Sequence, residues 1–275
     1  MRAILVFCEG AHDIVFVQRS LGVHYAYQWN AEPFDKLPTP FGSKGNQAGF
    51  LLKRFQNTPW DTKSLHISHH PEPPRFAAAL RSQDNETIVF IVESHGKQQT
   101  APVVNLLSAL SQLYVPEAVH SFAIKRYACA FLMDADDEGK QSTCNWWQEK
   151  FGTHFEQERQ PNPGQWLHSP HGPVGIFVFH SPDTETGTLE HALEPIFAEQ
   201  WPEAYRHAGA YLSQHPKQLE QNSSKYLKAA FTIAGQPFKP GSPLSEMLKR
   251  ETLNDDLLRN SQLSIRLAEF LNTAW

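Results

Sequence analysis

The sequence predicts an α/β protein, because strand patterns alternate with helical patterns along most of its length. Runs that are apolar at nearly every position are typical of strands buried on both faces of a sheet. Four such runs occupy residues 3–8, 87–92, 127–133 and 174–179. Helical apolar spacing follows the first three of them, and this order predicts a mostly parallel sheet flanked by helices.

The helical segments complete the predicted architecture. After the first three strands we expect helices over residues 13–21, 101–113 and about 142–151. The later part of the chain has only helical patterns, over residues 189–197, 202–213, 225–234, 243–250 and 257–275. The sequence therefore predicts one catalytic domain over residues 1–200 and a helical C-terminal extension over residues 201–275 that packs on it.

A proline-rich stretch from about residue 30 to 85 differs from the rest and is interpreted as an insertion. It contains a short helical pattern over residues 50–55 and a histidine cluster at His66, His69 and His70. No further ligand with defined spacing accompanies these histidines, so we interpret the cluster as a solvated loop rather than a metal site.

Composition excludes several classes of protein. The formal net charge of -5 argues against a broad basic surface for nucleic acid. The 3 cysteines are too scattered for a disulfide framework or a zinc module, and buried thiols in a cytoplasmic protein are expected. No apolar run approaches the roughly 20 residues of a membrane helix, so no membrane partner is expected.

Acidic residues follow two of the predicted strands. Glu9 comes directly after the first strand, and Asp134 and Asp136 come directly after the third. Because the carboxyl ends of parallel strands meet at one edge of a sheet, these side chains should lie close together. Carboxylate oxygens are the ligands that Mg²⁺ prefers. We therefore expect oxygens of all three residues within reach of one ion.

Two other interpretations of the acidic loop compete with a metal site. An EF-hand loop starting at Asp134 would need an acid at its twelfth position, where Asn145 stands, and it would not follow a strand. An acidic start of the next helix would be favourable, and Asp137 and Glu138 suit that role. The second interpretation leaves Asp134 and Asp136 available for a cation.

In this context the residues resemble the Toprim domain of topoisomerases, primases and overcoming-lysogenization-defect nucleases. The resemblance rests on Glu9-Gly10 and on Asp134-Ala-Asp136, each after a strand. The motif from Glu9 to Asp13 most resembles the nuclease branch, which carries a second acidic residue shortly after the glutamate. Weaker matches make the chain similar to a family of uncharacterised bacterial proteins with a Toprim-like fold, over most of its length apart from the insertion. These matches are Gly96-Lys97, Ser181-Pro-Asp183, Gly187-Thr-Leu-Glu190 and Lys228-Ala229.

The resemblance implies a site and an activity. It implies that one or two divalent ions, Mg²⁺ or Mn²⁺, are held by Glu9, Asp13, Asp134, Asp136 and Glu190. It also implies that Lys97 or Lys228 neutralises a non-bridging oxygen or the leaving group during hydrolysis of a nucleic-acid phosphodiester, with DNA expected ahead of RNA. Glu190 and Lys228 are equally compatible with ordinary helix positions.

Several other functions compete with that of a stand-alone nuclease. The chain is too short for the gate domain of a topoisomerase and lacks the cysteines of a primase zinc module. It has no phosphate-binding loop of the G-x-x-x-x-G-K-[ST] type, so an ATPase partner would be a separate chain. A non-cleaving domain that binds metal, nucleotide or another protein remains as the alternative. A phosphatase with Asp134 as nucleophile is disfavoured, because that chemistry places Asp-x-Asp after the first strand.

Overall fold

The computed structural model describes residues 1–30, 37–41, 75–97, 100–114, 119–214, 220 and 222–275. The histidine cluster at His66, His69 and His70 and the helical pattern over residues 50–55 lie outside these described residues. No helix within the described ranges combines the length and the apolar character that a membrane crossing requires.

The chain forms an α/β fold around a mixed sheet, which has seven strands in the described ranges. The four central strands are parallel, as expected for apolar runs buried on both faces, and the pairs at both edges are antiparallel. In chain order the strands are β1 (Arg2–Cys8), β2 (Gln28–Trp29), β3 (Arg75–Arg81), β4 (Thr87–Glu93), β5 (Arg126–Asp134), β6 (Gln165–Leu167) and β7 (Val174–Phe179). The order across the sheet is β2-β3-β4-β1-β5-β7-β6.

Three strands were missed by the sequence patterns. β3 lies inside the stretch interpreted as an insertion, so that stretch ends within the sheet and the insertion is shorter than expected. Its centre, Ala77 to Ala79, has weak strand propensity, and a register shift between Phe76 and Ala78 interrupts its alternation. β2 and β6 have only two and three residues, too few for a periodic pattern. All three pair antiparallel, which makes the sheet less parallel than predicted.

The helices follow the predicted order closely. They are α1 (Ala11–Tyr25), α2 (Thr100–Leu113), α3 (Lys140–Phe151), α4 (Leu189–Gln200), α5 (Pro202–Ser213), α6 (Ser224–Gly235), α7 (Leu244–Met247), α8 (Asp255–Asn260) and α9 (Gln262–Asn272). The pattern over residues 257–275 belongs to two helices rather than one. Ser261 separates them, because its side chain accepts a hydrogen bond from the backbone N–H of Ser264 and caps the start of α9.

Alternating residues of the central strands pack against opposite layers of helices. On β1, Ile4 and Val6 face a core shared with α1 and the helices after residue 188, whereas Leu5 and Phe7 face a core shared with α2 and α3. The helical C-terminal part therefore covers one face of the sheet. Cys8, Cys129 and Cys144 are all free and buried, as expected for inert thiols.

Arg19 on α1 joins the first helix to the C-terminal segment. Its guanidinium donates hydrogen bonds to the backbone oxygens of Leu248 (2.8 Å) and Leu253 (2.9 Å) and to Asp255 Oδ1 (2.6 Å). The side chain is only 11% exposed, so a substitution leaves three acceptors without their donor in a largely buried place.

We expect Arg19→Met to lower the free energy of unfolding by about 2 to 4 kcal/mol, because charged hydrogen bonds to buried acceptors are lost. Urea unfolding followed by circular dichroism measures the change. Arg206→Met is the matched control, since Arg206 pairs with Glu203 on an exposed surface of α5 and should have little effect. Equal stability of the two variants would contradict the role of Arg19.

Candidate functional site

The turn between β1 and α1 is held by Asp13. Asp13 Oδ2 accepts hydrogen bonds from the backbone N–H groups of Glu9 (2.9 Å) and Gly10 (3.1 Å). These bonds fix the turn that carries Glu9. Asp13 is 8% exposed, and its burial raises its pKa to about 6 even though the Gly10 N–H favours the ionised form. Asp13 thus stabilises the turn and also belongs to the cluster of acidic side chains at the carboxyl ends of β1 and β5.

Glu9 has one carboxylate oxygen that lacks a protein donor in the described ranges. Its Oε1 atom is buried and has no hydrogen-bond partner among the described residues. Burial and the nearby Asp13 raise the pKa of Glu9 to about 7. A cavity of about 20 Å³ lies beside Glu9 and Lys97, enough for one water-sized group. Gly96 lies beside Glu9, and its φ of +82° is a backbone conformation that favours glycine.

Asp134 ends the central strand β5, next to β1. Its Oδ1 atom accepts a hydrogen bond of 2.8 Å from the backbone N–H of Leu189, the first residue of α4. Burial, together with Asp13, Glu9 and Glu190, raises the pKa of Asp134 well above its usual range. Its other carboxylate oxygen has no protein donor within the described ranges.

Asp136 is paired with Lys97. The Lys97 ammonium donates to Asp136 Oδ2 (2.5 Å), to the backbone oxygen of Asp134 (2.9 Å) and to Thr143 Oγ1 (3.4 Å). Two backbone hydrogen bonds with Gly187, of 2.8 and 2.7 Å, join Asp136 to the loop before α4. The φ of Asp136 is +50°, a left-handed conformation that few non-glycine residues adopt.

Glu190 on α4 has protein donors for both carboxylate oxygens. Oε1 lies 3.3 Å from His12 Nδ1 and 3.2 Å from Lys228 Nζ, and Oε2 accepts a hydrogen bond of 2.8 Å from Thr188 Oγ1. Burial alone would raise the pKa of Glu190, but the hydrogen bond to His12, the Lys228 ammonium and the Thr188 hydroxyl outweigh it and lower the pKa to about 2. Glu190 is therefore a stabilised anion.

The structure brings the sequence-predicted residues to one edge of the sheet, but it does not arrange three ligands around one point. In the described part of the chain, no group of three or more His, Cys, Asp or Glu side chains is placed to hold a metal ion. The expected convergence of Glu9, Asp134 and Asp136 is therefore not found. The physical reason is that Asp136 turns to Lys97 and Asp134 turns one oxygen to Leu189.

The acidic residues that follow Asp136 in the loop do not join Glu9, Asp13 and Asp134. Asp137 and Glu138 are exposed, and they precede α3 rather than occupying its first turn, which contains no acidic residue. The metal-ligand role considered for Glu190 has to compete with its existing donors, because neither of its oxygens is without a protein donor.

Three residues of the site carried no sequence signal strong enough to identify them. His12 lies inside the Glu9-to-Asp13 motif, where its position next to Asp13 was the only available hint. Thr188 is the N-cap of α4, where hydroxyl residues are common for capping alone, and Thr143 lies in the first turns of α3. Thr188 contacts Glu190, two residues along the chain. Thr143 contacts Lys97, 46 residues away in sequence, and this contact depends on the fold.

Comparisons with known proteins support the fold. No protein-family model matches the chain, and no curated protein matches it. The structure is similar to the crystal structure of hypothetical protein PH0156 from Pyrococcus horikoshii OT3, with a TM-score of 0.59 and 19% sequence identity. The similarity covers 99% of this chain and 96% of that protein, so the whole architecture is shared. At this identity the likeness shows the fold alone.

Proposed function

We propose that this chain hydrolyses phosphodiester bonds of nucleic acid with the aid of Mg²⁺ or Mn²⁺ at the carboxyl ends of β1 and β5. One observation carries the proposal: Glu9, Asp13 and Asp134 lie together at this edge, Asp13 buried and the other two partly buried. Glu9 Oε1 has no protein donor in the described part of the chain, and desolvation raises the pKa of all three carboxylates. Crowded, buried carboxylates cost folding free energy unless a proton or a cation neutralises them. A divalent cation removes that cost at neutral pH.

The donor set fits a hard divalent cation. Glu9 offers a buried oxygen without a protein donor, and Asp134 offers its second oxygen. Oxygen ligands of this kind are preferred by Mg²⁺, which commonly uses one or two carboxylates together with water and substrate phosphate. When bound, such an ion polarises a phosphate and makes a bound water more nucleophilic.

The chain supplies positive charge beside these carboxylates. Lys97 lies at Asp136, and Lys228 lies at Glu190 with 45% of its side chain exposed. An exposed ammonium can reach the backbone phosphate of a polymeric substrate. DNA is the substrate we expect, and an ATPase partner would be a separate chain.

A second candidate function is binding without cleavage, of a metal ion, a nucleotide or another protein. It is favoured by the finding that no described group of three acidic or metal-ligating side chains is already placed around one ion. A site that must rearrange before it holds a catalytic ion suits a binding domain as well as an enzyme. The two candidates differ in one observable, which is strand cleavage.

The decisive experiment incubates plasmid DNA, linear DNA, single-stranded DNA and RNA with the protein and Mg²⁺, Mn²⁺ or EDTA. We expect metal-dependent cleavage that falls by roughly 100-fold or more in Glu9→Gln, because a ligand of the ion is removed without a change in size. Asp137→Asn is the matched control, since it removes an exposed acid from the neighbouring loop.

The outcomes separate the two candidates. Cleavage that survives in Glu9→Gln, or that persists in EDTA, contradicts the proposed centre. Divalent-cation binding by the wild type without cleavage of any of the four substrates favours the non-cleaving candidate. Loss of cleavage in Glu9→Gln with full activity in Asp137→Asn supports hydrolysis at this edge of the sheet.

A further inference from the structure

We propose that Lys97 is a built-in counter-ion that competes with the divalent cation for the acidic side chains at the ends of β1 and β5. Lys97 thereby weakens the binding of the metal ion. The proposal rests on the metal site of the proposed function and concerns how that site is controlled. Its basis is the position of the Lys97 ammonium, which contacts the carboxylate of Asp136 and the backbone oxygen of Asp134, while Lys97 and Glu9 line the same small cavity.

The Lys97 ammonium is held from three sides. Its partners are Asp136 Oδ2 at 2.5 Å, the backbone oxygen of Asp134 at 2.9 Å and Thr143 Oγ1 at 3.4 Å. The Thr143 hydroxyl also donates to the same Asp134 oxygen at 3.2 Å, so the partners are linked to one another. Three oxygen partners satisfy the full donor capacity of an ammonium group.

The contact is more than an exposed surface pair. Asp136 is 49% exposed, and an ion pair with it alone would contribute little. However, Thr143 is fully buried and the Lys97 side chain is only 20% exposed. The Lys97 stem also lines the small cavity beside Glu9, together with Phe7 and other apolar side chains.

The backbone on both sides of the pair is set in an uncommon conformation. His95 has a φ of +59° directly before Gly96 and Lys97, and Asp136 has a φ of +50°. Left-handed non-glycine residues cost of order 1 kcal/mol or more each and persist where surrounding contacts determine them. At Asp136 these contacts include the two backbone hydrogen bonds with Gly187, which fix the residue that accepts from Lys97.

Competition follows from this arrangement. A divalent ion that uses Asp136 must take an oxygen that the Lys97 ammonium already occupies, and like charges at this distance repel. The Glu9 and Asp134 carboxylates stay available, but they bind a second cation less tightly while the ammonium is beside them. Removal of the ammonium should therefore strengthen metal binding. If Lys97 only assisted catalysis, its removal would leave the affinity for the metal unchanged.

Calorimetric titration of the full-length protein with Mn²⁺ tests the proposal without a cleavage assay. We expect Lys97→Met to lower the Kd for Mn²⁺ by roughly 10-fold or more. Lys140→Met is the matched control, because Lys140 pairs with Glu185 at 2.7 Å near the same edge and also loses one positive charge. We expect the control to change the Kd by less than about twofold.

Thr143→Val provides an independent variant of the same size. It removes one oxygen partner of the ammonium and keeps every carboxylate, so it should tighten Mn²⁺ binding in the same direction by a smaller factor. Circular dichroism confirms that each variant is folded, and the Thr143→Val result decides the matter if Lys97→Met does not fold. Mn²⁺ binding by Lys97→Met when the wild type shows none would also support the proposal.

Two results would overturn the inference. Equal or weaker Mn²⁺ binding in Lys97→Met and in Thr143→Val refutes competition by Lys97 while leaving the metal site of the wild type intact. An equal gain in Mn²⁺ affinity in Lys97→Met and Lys140→Met also refutes competition by Lys97. The loss of any nearby positive charge would then explain the tighter binding. Absence of binding in the wild type and in both variants removes the metal site itself and this inference with it.

Discussion

Asp134→Asn is expected to raise the melting temperature of the protein in the presence of a chelator, although Asp134 lies at the centre of the candidate site. The substitution removes a partly buried carboxylate whose negative charge is repelled by Asp13, Glu9 and Glu190. The amide oxygen of asparagine can still accept the hydrogen bond from the Leu189 N–H. We expect a gain of about 1 to 3 kcal/mol, or about 2 to 4 °C for each kcal/mol.

The pH dependence of stability follows from the same groups. The pKa values of Glu9, at about 7, and Asp13, at about 6, are raised in the folded protein. A raised folded-state pKa contributes stability below the ordinary pKa of the group, and this contribution is lost as pH rises through the folded value. Without a divalent cation, the wild type should therefore become less stable as pH rises from about 4 to about 7.

Thermal unfolding in EDTA across that pH range measures both effects. Asp134→Asn should unfold at a higher temperature than the wild type and show a shallower decline with pH, because the remaining carboxylates have one fewer negative neighbour. Addition of Mg²⁺ should stabilise the wild type but not the variant. Asp137→Asn removes the same charge at an exposed position and should behave like the wild type. A lower melting temperature for Asp134→Asn would contradict the repulsion argued for this site.

Glu190→Gln is expected to have the opposite effect and to lower the free energy of unfolding by about 2 to 4 kcal/mol at neutral pH. The carboxylate is 3% exposed and is stabilised by His12, Lys228 and Thr188. Glutamine has the same size but no charge, and its amide group places a donor where the carboxylate accepted hydrogen bonds.

The pH dependence of this contribution also differs in sign. A depressed folded-state pKa gives stability that is present above the ordinary value of 4.5 and is lost as pH falls through about 2. Urea unfolding of the wild type and Glu190→Gln, in EDTA at neutral pH, measures the loss. Glu203→Gln is the control, because Glu203 lies in an exposed pair with Arg206. Equal stability of Glu190→Gln and the wild type would show that the Glu190 contacts do not stabilise the fold.

The sequence is sufficient to predict the parts of the structure that depend on local pattern. The central strands were identifiable because nearly every residue of 3–8, 87–92 and 127–133 is apolar, and Glu9 and Asp134 were located at strand ends for the same reason. The α/β fold and its helical C-terminal region are confirmed. The metal-binding role of these acids stays a prediction.

Other features could not be predicted, because they depend on contacts between distant residues. The Lys97–Asp136 pair joins positions 39 residues apart, and the His12–Glu190 contact joins positions 178 apart. No local pattern determines which oxygen of Asp136 faces an ammonium and which would face an ion. β3 was missed because an alanine-rich segment becomes a strand only through its pairing with β4.

The most direct test of a cation site at Glu9 and Asp134 is a crystal of the wild-type protein soaked in Mn²⁺ and measured for anomalous scattering at the manganese edge. We predict one anomalous peak at the ends of β1 and β5, with carboxylate oxygens of Glu9 and Asp134 at roughly 2.1 Å, the distance typical of a small hard cation. A map without a peak at this edge, or with manganese bound only by exposed acids such as Asp137 and Glu138, would contradict the proposed centre.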